Sequence, residues 1–127
     1  MATEMSRPEP MVLHLRGHIR MADFLATSGL LSVKPASQPS SHILFDWSDI
    51  ISWSFAPPFE QEVRGWLMVA ESIERLAIVH HRAWKRQAAW FAALLRTREC
   101  RVRSYHPDDY NRALTWLMDG ISGAVSP

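Results

Sequence analysis

Apolar and polar positions along the chain change period several times, and each change marks an element. Met11–Gly17 (MVLHLRG) alternates around Val12 and Leu13, which predicts a short first strand closed by Gly17. Apolar residues at Met21, Phe24, Leu25 and Leu31 predict a short helix over Met21–Leu31. Val33–Ser41 is rich in Pro and Ser and reads as a loop. Ile43–Leu44–Phe45, a continuous apolar run ending at Asp46, predicts a buried strand. The stretch Trp47–Phe59 (WSDIISWSFAPPF) fits no single period, although its Pro57–Pro58 pair suits the start of a helix. From Phe59 onward the apolar positions Val63, Trp66, Leu67, Ala70 and Ile73 fall in steps of three and four on one helical face.

The second half is clearer. Leu76–Val79 (LAIV) reads as a strand buried on both faces, as parallel strands are. Arg82–Thr97 is a helix with the stripe Trp84, Ala88, Phe91 and Leu95. Arg101–His106 alternates in the manner of a strand near a sheet edge. Pro107, Asp108 and Asp109 open a last helix, with acids in the first turn where the helix dipole favours them. Its inward face is Tyr110, Ala113, Leu114 and Leu117, and Gly120 is expected to end it. The order β-α-β-α-β-α-β-α implies an α/β fold, a single-layer four-stranded, mostly parallel sheet with helices packed on it. Residues 1–127 then form one domain, with a frayed arm at 1–10 and a loose tail at 120–127.

Composition supports an ordinary globular chain. Of 127 residues, 47% are hydrophobic and 21% charged, so no disulfide or metal is needed to hold a core. No apolar run is long enough for a transmembrane segment, and the charged first twenty residues do not form a signal peptide. The lone Cys100 makes no internal bridge and fits a cytoplasmic setting, with at most a peripheral touch on a membrane. Fourteen basic residues against 13 acidic argue against nucleic acid as a partner.

Glu74–Leu117 resembles the second half of the SpoIIAA-like proteins. The shared points are an apolar strand (Leu76–Val79), a Trp near a helix start (Trp84), an apolar-basic edge strand (Val102–Tyr105) and a helix ending Ala-x-x-Trp-Leu (Ala113, Trp116, Leu117). Leu15-Arg16-Gly17-His18-Ile19 and the pair Asp23–Phe24 extend the resemblance, so it covers most of residues 12–117. It implies a STAS-like fold, related to the CRAL-TRIO lipid-binding fold. Family members near the anti-sigma-factor antagonists work through a phosphorylatable Ser in an Asp-Ser-Ser-Gly stretch after the second core strand. Here Phe45-Asp46-Trp47-Ser48-Asp49-Ile50 is similar to the lead-in, but Phe55 stands at the serine position, Ala56 next and Pro57 at the glycine. No phosphorylation at that motif is expected.

No catalytic, cofactor or metal signature is present, which points to a protein that is not an enzyme and carries no cofactor. Asp46, His80, His81 and His106 fall at the carboxyl ends of predicted strands, where open α/β sheets bind ligands. They read either as metal or acid-base groups or as polar residues at loop mouths. Neighbours on a strand point to opposite faces, so His80 and His81 can serve one metal only if the strand has ended. Trp53, Phe55, Phe59 and Trp66 form an aromatic segment. Those rings either line a ligand pocket or lipid contact, or complete the core across a long connection. Residues 75–103 hold eight basic side chains against one acid, Glu99. Arg82, Lys85 and Arg86 begin a helix that Arg96 and Arg98 end, about 20 Å away on a rise of ~1.5 Å per residue, so a spread, solvated basic face is expected. Cys100 has cationic neighbours but no His or second Cys nearby in sequence, and reads as inert or incidentally oxidisable.

Two functional readings follow. One is a binding domain for an apolar small molecule, lipid or membrane surface through Trp53–Trp66. The alternative is a regulatory protein-interaction domain of the anti-sigma-factor-antagonist type, lacking the usual serine, with Ser48, Ser52 and Ser54 as available hydroxyls. The richness in Trp is compatible with a homodimer.

Overall fold

The structure, a computed structural model, describes residues 10–20, 23–24, 27–28, 42–54 and 60–123. Four strands, β1 (Met11–Arg20), β2 (His42–Ser54), β3 (Arg75–Val79) and β4 (Arg101–Tyr105), form one sheet in the order β1-β2-β3-β4. Every neighbouring pair is parallel. A crossover between parallel strands is right-handed, so a sheet that always steps the same way sends every connection over the same face. The helices α1 (Glu60–Ala70) and α2 (Lys85–Arg96) accordingly share one face, and Phe24 from the β1–β2 connection joins them there. The helix α3 (Tyr110–Gly123), which leads into no further strand among the described residues, covers the other face.

The first face holds most of the core. Phe45 and Trp47 of β2, Trp66 of α1 and Phe91 of α2 are fully buried around Phe24. Phe24 stacks on Phe45 (5.7 Å between centroids) and on Trp66 (6.2 Å), and meets Trp47 (5.6 Å) and Phe91 (4.9 Å) edge-on. Such ring pairs add about 0.5–1.5 kcal/mol each beyond the area they bury. On the second face, Ala113 and Leu117 of α3 lie over Leu44, Ala77 and Val79. Trp116 fastens that helix: its ring lies 4.9 Å from the guanidinium carbon of Arg75 and 5.0 Å from that of Arg103. Arg75 also donates from Nη1 to the Trp116 carbonyl at 2.6 Å, so the Trp of the Ala-x-x-Trp-Leu ending is a clamp between helix and sheet.

Several boundaries differ from the sequence reading. The first strand does not close at Gly17 but continues to Arg20, because Gly17 takes φ 81° at a register shift, a conformation glycine adopts without steric cost. The unclassified stretch after Asp46 is strand as far as Ser54. Here β2 carries one extra residue between the pairs His14↔Asp46 and Arg16↔Asp49, and another between Gly17↔Ile50 and His18↔Ser52. Each bulge resets which way the following side chains face. Trp47, Ile50 and Trp53 therefore all meet the core although they are three residues apart, while Ile51 is 67% exposed. The helix read from Arg82 begins as a 3-10 turn, Arg82–Trp84, before α2. Likewise the turn Pro107–Asp109 precedes α3, which runs through Gly120 to Gly123 rather than stopping there. The predicted helix Met21–Leu31 and loop Val33–Ser41 lie mostly outside the described residues, as do residues 1–9 of the arm and 124–127 of the tail. No helix among the described residues is long and apolar enough to cross a membrane.

Because Trp66 is fully buried against the rings of Phe24, Phe45 and Phe91, Trp66→Ala should lower the unfolding free energy by about 3–5 kcal/mol. Val12→Ala, at a site 48% exposed, should change it by less than about 0.5 kcal/mol. Urea titration followed by tryptophan emission and circular dichroism measures both.

Candidate functional site

The carboxyl ends of β3 and β4 lie side by side, level with Asp46; contrary to the expectation that Asp46 ends its strand, β2 runs on past it to Ser54, paired with β1 alone. Asp46 pairs with Val79, the last residue of β3, which in turn pairs with Tyr105, the last of β4. His80 and His81 follow β3 directly and His106 follows β4, so both strands have ended before their histidines. The His80 backbone N–H extends the ladder by one bond, donating to the Tyr105 carbonyl at 2.9 Å.

Each imidazole is engaged locally. Nδ1 of His80 donates to the His81 carbonyl at 2.7 Å. Nε2 of His81 donates to the Ser48 carbonyl at 3.1 Å, tying the loop after β3 to β2. The His81 and His106 rings meet edge-on at 5.7 Å between centroids. Nδ1 of His106 accepts from the Asp108 N–H at 3.1 Å and so caps the 3-10 turn that leads into α3. Asp46, nearly buried, accepts from both the backbone N–H (3.0 Å) and the hydroxyl of Ser48. The Ser48 hydroxyl thus donates to a carboxylate, and the nearest histidine bond reaches the Ser48 carbonyl instead. That is the geometry of a braced turn, not of a nucleophile facing its base. Among the described residues no three His, Cys, Asp or Glu side chains are grouped so as to hold a metal ion.

Burial acts on the charges here. It pushes the His80 imidazole below its ordinary value of 6.5, and the neighbouring His106 and His81 push the same way against the hydrogen bond to the His81 carbonyl. The Tyr110 phenol is raised, first by burial and then by the Asp46 carboxylate. At the opposite end of the sheet, burial also lowers His42, with Glu74 opposing the shift.

Of the aromatic segment, Trp66 is wholly inside the core with its indole N–H directed at the Phe24 carbonyl (3.5 Å). Trp53 is partly buried and packs on Phe24 (5.1 Å), Trp47 (5.3 Å) and Trp84 (6.5 Å). Both described rings therefore complete the core; Phe55 and Phe59 lie outside the described residues. Two histidines that the sequence reading passed over stand on the other face of the β1–β2 ribbon. His14 bonds Asp49 at 2.9 Å and lies 4.0 Å from Asp46, and His18 bonds the Ser52 hydroxyl at 2.6 Å. Their signal was the run of polar residues at every second position, His14, Arg16, His18 and Arg20, in a strand longer than the alternation of Val12 and Leu13 suggested.

Cys100 is buried, and burial pushes its thiol up to about 12, outweighing the pull of Arg96. Four of the eight basic residues of this stretch have partners: Arg75 and Arg103 flank Trp116, Arg98 pairs with Glu71 at 3.3 Å, and Arg96 donates to the Val102 carbonyl at 2.9 Å.

Compared with known protein families, residues 11–118 fit a family model described as SpoIIAA-like. No curated protein and no solved structure matches the chain.

Two outcomes test this account of the site. Unfolded chains take up the proton near 6.5 whereas folded His80 and His42 resist it, so the unfolded state binds more protons below that pH. Stability should be full above 6.5 and fall on acidification, and His80→Gln combined with His42→Gln should flatten the slope of urea midpoint against pH. The Cys100 thiol should react with DTNB only at the rate of global unfolding.

Proposed function

This chain belongs to the SpoIIAA-like family, and from that premise we propose that it is a non-enzymatic regulatory domain that works by docking a protein partner. The family match over residues 11–118 is the observation that carries this reading. The all-parallel four-stranded sheet supports the STAS-like relationship. The departure at Phe55, Ala56 and Pro57 removes the serine through which anti-sigma-factor antagonists are switched. None of Ser48, Ser52 and Ser54 occupies the serine position of that motif, and the hydroxyls of the first two are engaged with Asp46 and His18. Docking would then be constitutive, set by the concentration of the partner rather than by phosphorylation. A cytoplasmic setting accords with the lone buried thiol.

The rival occupant is an apolar small molecule or lipid. The two tryptophans proposed to hold it, Trp53 and Trp66, face the core, which favours the protein partner.

Affinity capture of the tagged full chain from native extract should enrich one protein in near-stoichiometric amount, before and after phosphatase treatment alike. Native mass spectrometry of the gently purified chain should give the bare polypeptide mass, as monomer or homodimer. A small molecule released on denaturation, with no protein captured, would overturn the proposal in favour of a ligand carrier.

A further inference from the structure

An open groove of about 680 Å³ runs between α2 and the free edge of β4. We infer that this groove receives an acidic, extended segment of a partner protein, which adds to β4 as a fifth strand. The inference rests on the protein-docking function proposed above and names the site and the chemistry of its occupant.

Backbone bonding at β4 decides which groups are on offer. The Arg101 N–H donates inward to the Glu74 carbonyl (3.0 Å), and the Tyr105 carbonyl accepts inward from His80 (2.9 Å). Alternation along a strand then turns Val102 and Ser104 outward. The outward carbonyl of Val102 is already taken by the Arg96 guanidinium at 2.9 Å. That leaves the N–H and C=O of Ser104 as a donor-acceptor pair facing the groove, the arrangement a strand-adding peptide needs.

The opposite wall supplies the room. Where α2 faces this edge it presents Ala88, Ala89 and Ala92, so no long side chain fills the slot. Five residues of β4 span about 17 Å, enough for an incoming segment of similar length.

Charge selects the segment. Arg82 and Lys85 stand at one end of the groove and Arg96 at the other, and no carboxylate among the described residues lines it. Among the described residues, none of these three cations is paired with an acid. The helix that separates them in sequence runs alongside the edge strand, so both of its ends open onto the same slot. Carboxylates at alternate positions of an extended chain share one face and would meet these cations, whereas a basic chain would be repelled.

The probe is a fluorescein-labelled ten-residue peptide of alternating Glu and Thr, titrated with the full chain at low ionic strength and read by fluorescence anisotropy. Saturable binding is expected, with hydrogen exchange at the Ser104 amide slowed in the complex. Arg82→Glu with Lys85→Glu should weaken it at least about tenfold. Ser104→Pro, which removes the outward N–H at a position where an edge strand tolerates proline, should do the same. A probe methylated on alternate backbone amides should not bind, and neither should one with Lys in place of Glu. Equal binding of the methylated probe, or its ready displacement by inorganic phosphate with no effect of Ser104→Pro, would overturn strand addition in favour of a simple anion site. Absence of any binding by the acidic probe would also overturn it. The captured partner separates the two levels of the argument. If it is retained in full by the folded groove variants, the groove is wrong and the docking function stands; if no partner is captured at all, the function fails with it.

Discussion

Right-handed crossovers applied to four strands laid down in sequence order leave the chain no choice about its layers. Each connection must pass over the same face, so the residues that bury well there, Phe24, Trp66 and Phe91, come from three successive connections and converge on one point. The same order fixes the sheet's two borders as β1 and β4. It also brings the carboxyl ends of β3 and β4 together at one rim, where His81 and His106 meet without any motif linking them. The turns at that rim, the groove beside β4 and the solitary position of α3 are all consequences of one rule of handedness.

Within that frame the aromatic residues have a structural office. A Trp-rich chain invites a search for a ligand, yet Trp47 and Trp66 are fully enclosed, and Trp53 packs on the same cluster. Trp116 is likewise engaged, gripped by two arginines that anchor α3. The tryptophans hold helices to the sheet, while the polar chemistry lies elsewhere, on strand ends and edges. Recognition by backbone and charge at an edge leaves such a core intact.

How much of this was legible depended on whether a segment obeyed one period throughout. β3 and α2 did: LAIV is a run buried on both sides, and Ala88, Phe91 and Leu95 recur at helical spacing. The Ala-x-x-Trp-Leu ending of α3 was visible as a resemblance, but its partner Arg75 lies 41 residues away, so its mechanical role was not. The second half of β2 defeated pattern reading for a definite reason. Two bulges give its inward residues a spacing of three, which imitates a helix and belongs to neither template. Gly17 misled in the opposite sense, since a residue that usually stops a strand here lets one continue through a bulge. At the candidate site, His80, His81 and His106 do follow strand ends, whereas Asp46 lies inside β2, whose bulged second half hid its continuation to Ser54; nor could sequence alone show that each is tied to a neighbouring backbone or hydroxyl group. The basic residues were read as separated by the length of a helix. They are, and yet the groove runs along that helix and collects both ends.

The position of α3 at the end of the order bears on how the protein is made. On a ribosome each strand emerges beside a partner already present, so β1, β2 and β3 can pair in turn as a nascent sheet. Leu44, Ala77 and Val79, however, lack their helical cover until α3 follows, since among the described helices it is α3 that packs over them. The chain is thus adhesive in the interval after β3 has formed and before α3 has docked, carrying an apolar plane that the helix has yet to hide. A chain cut short before α3 would yield not a slightly smaller domain but a sheet with one open side, the kind of surface that chaperones and proteases recognise.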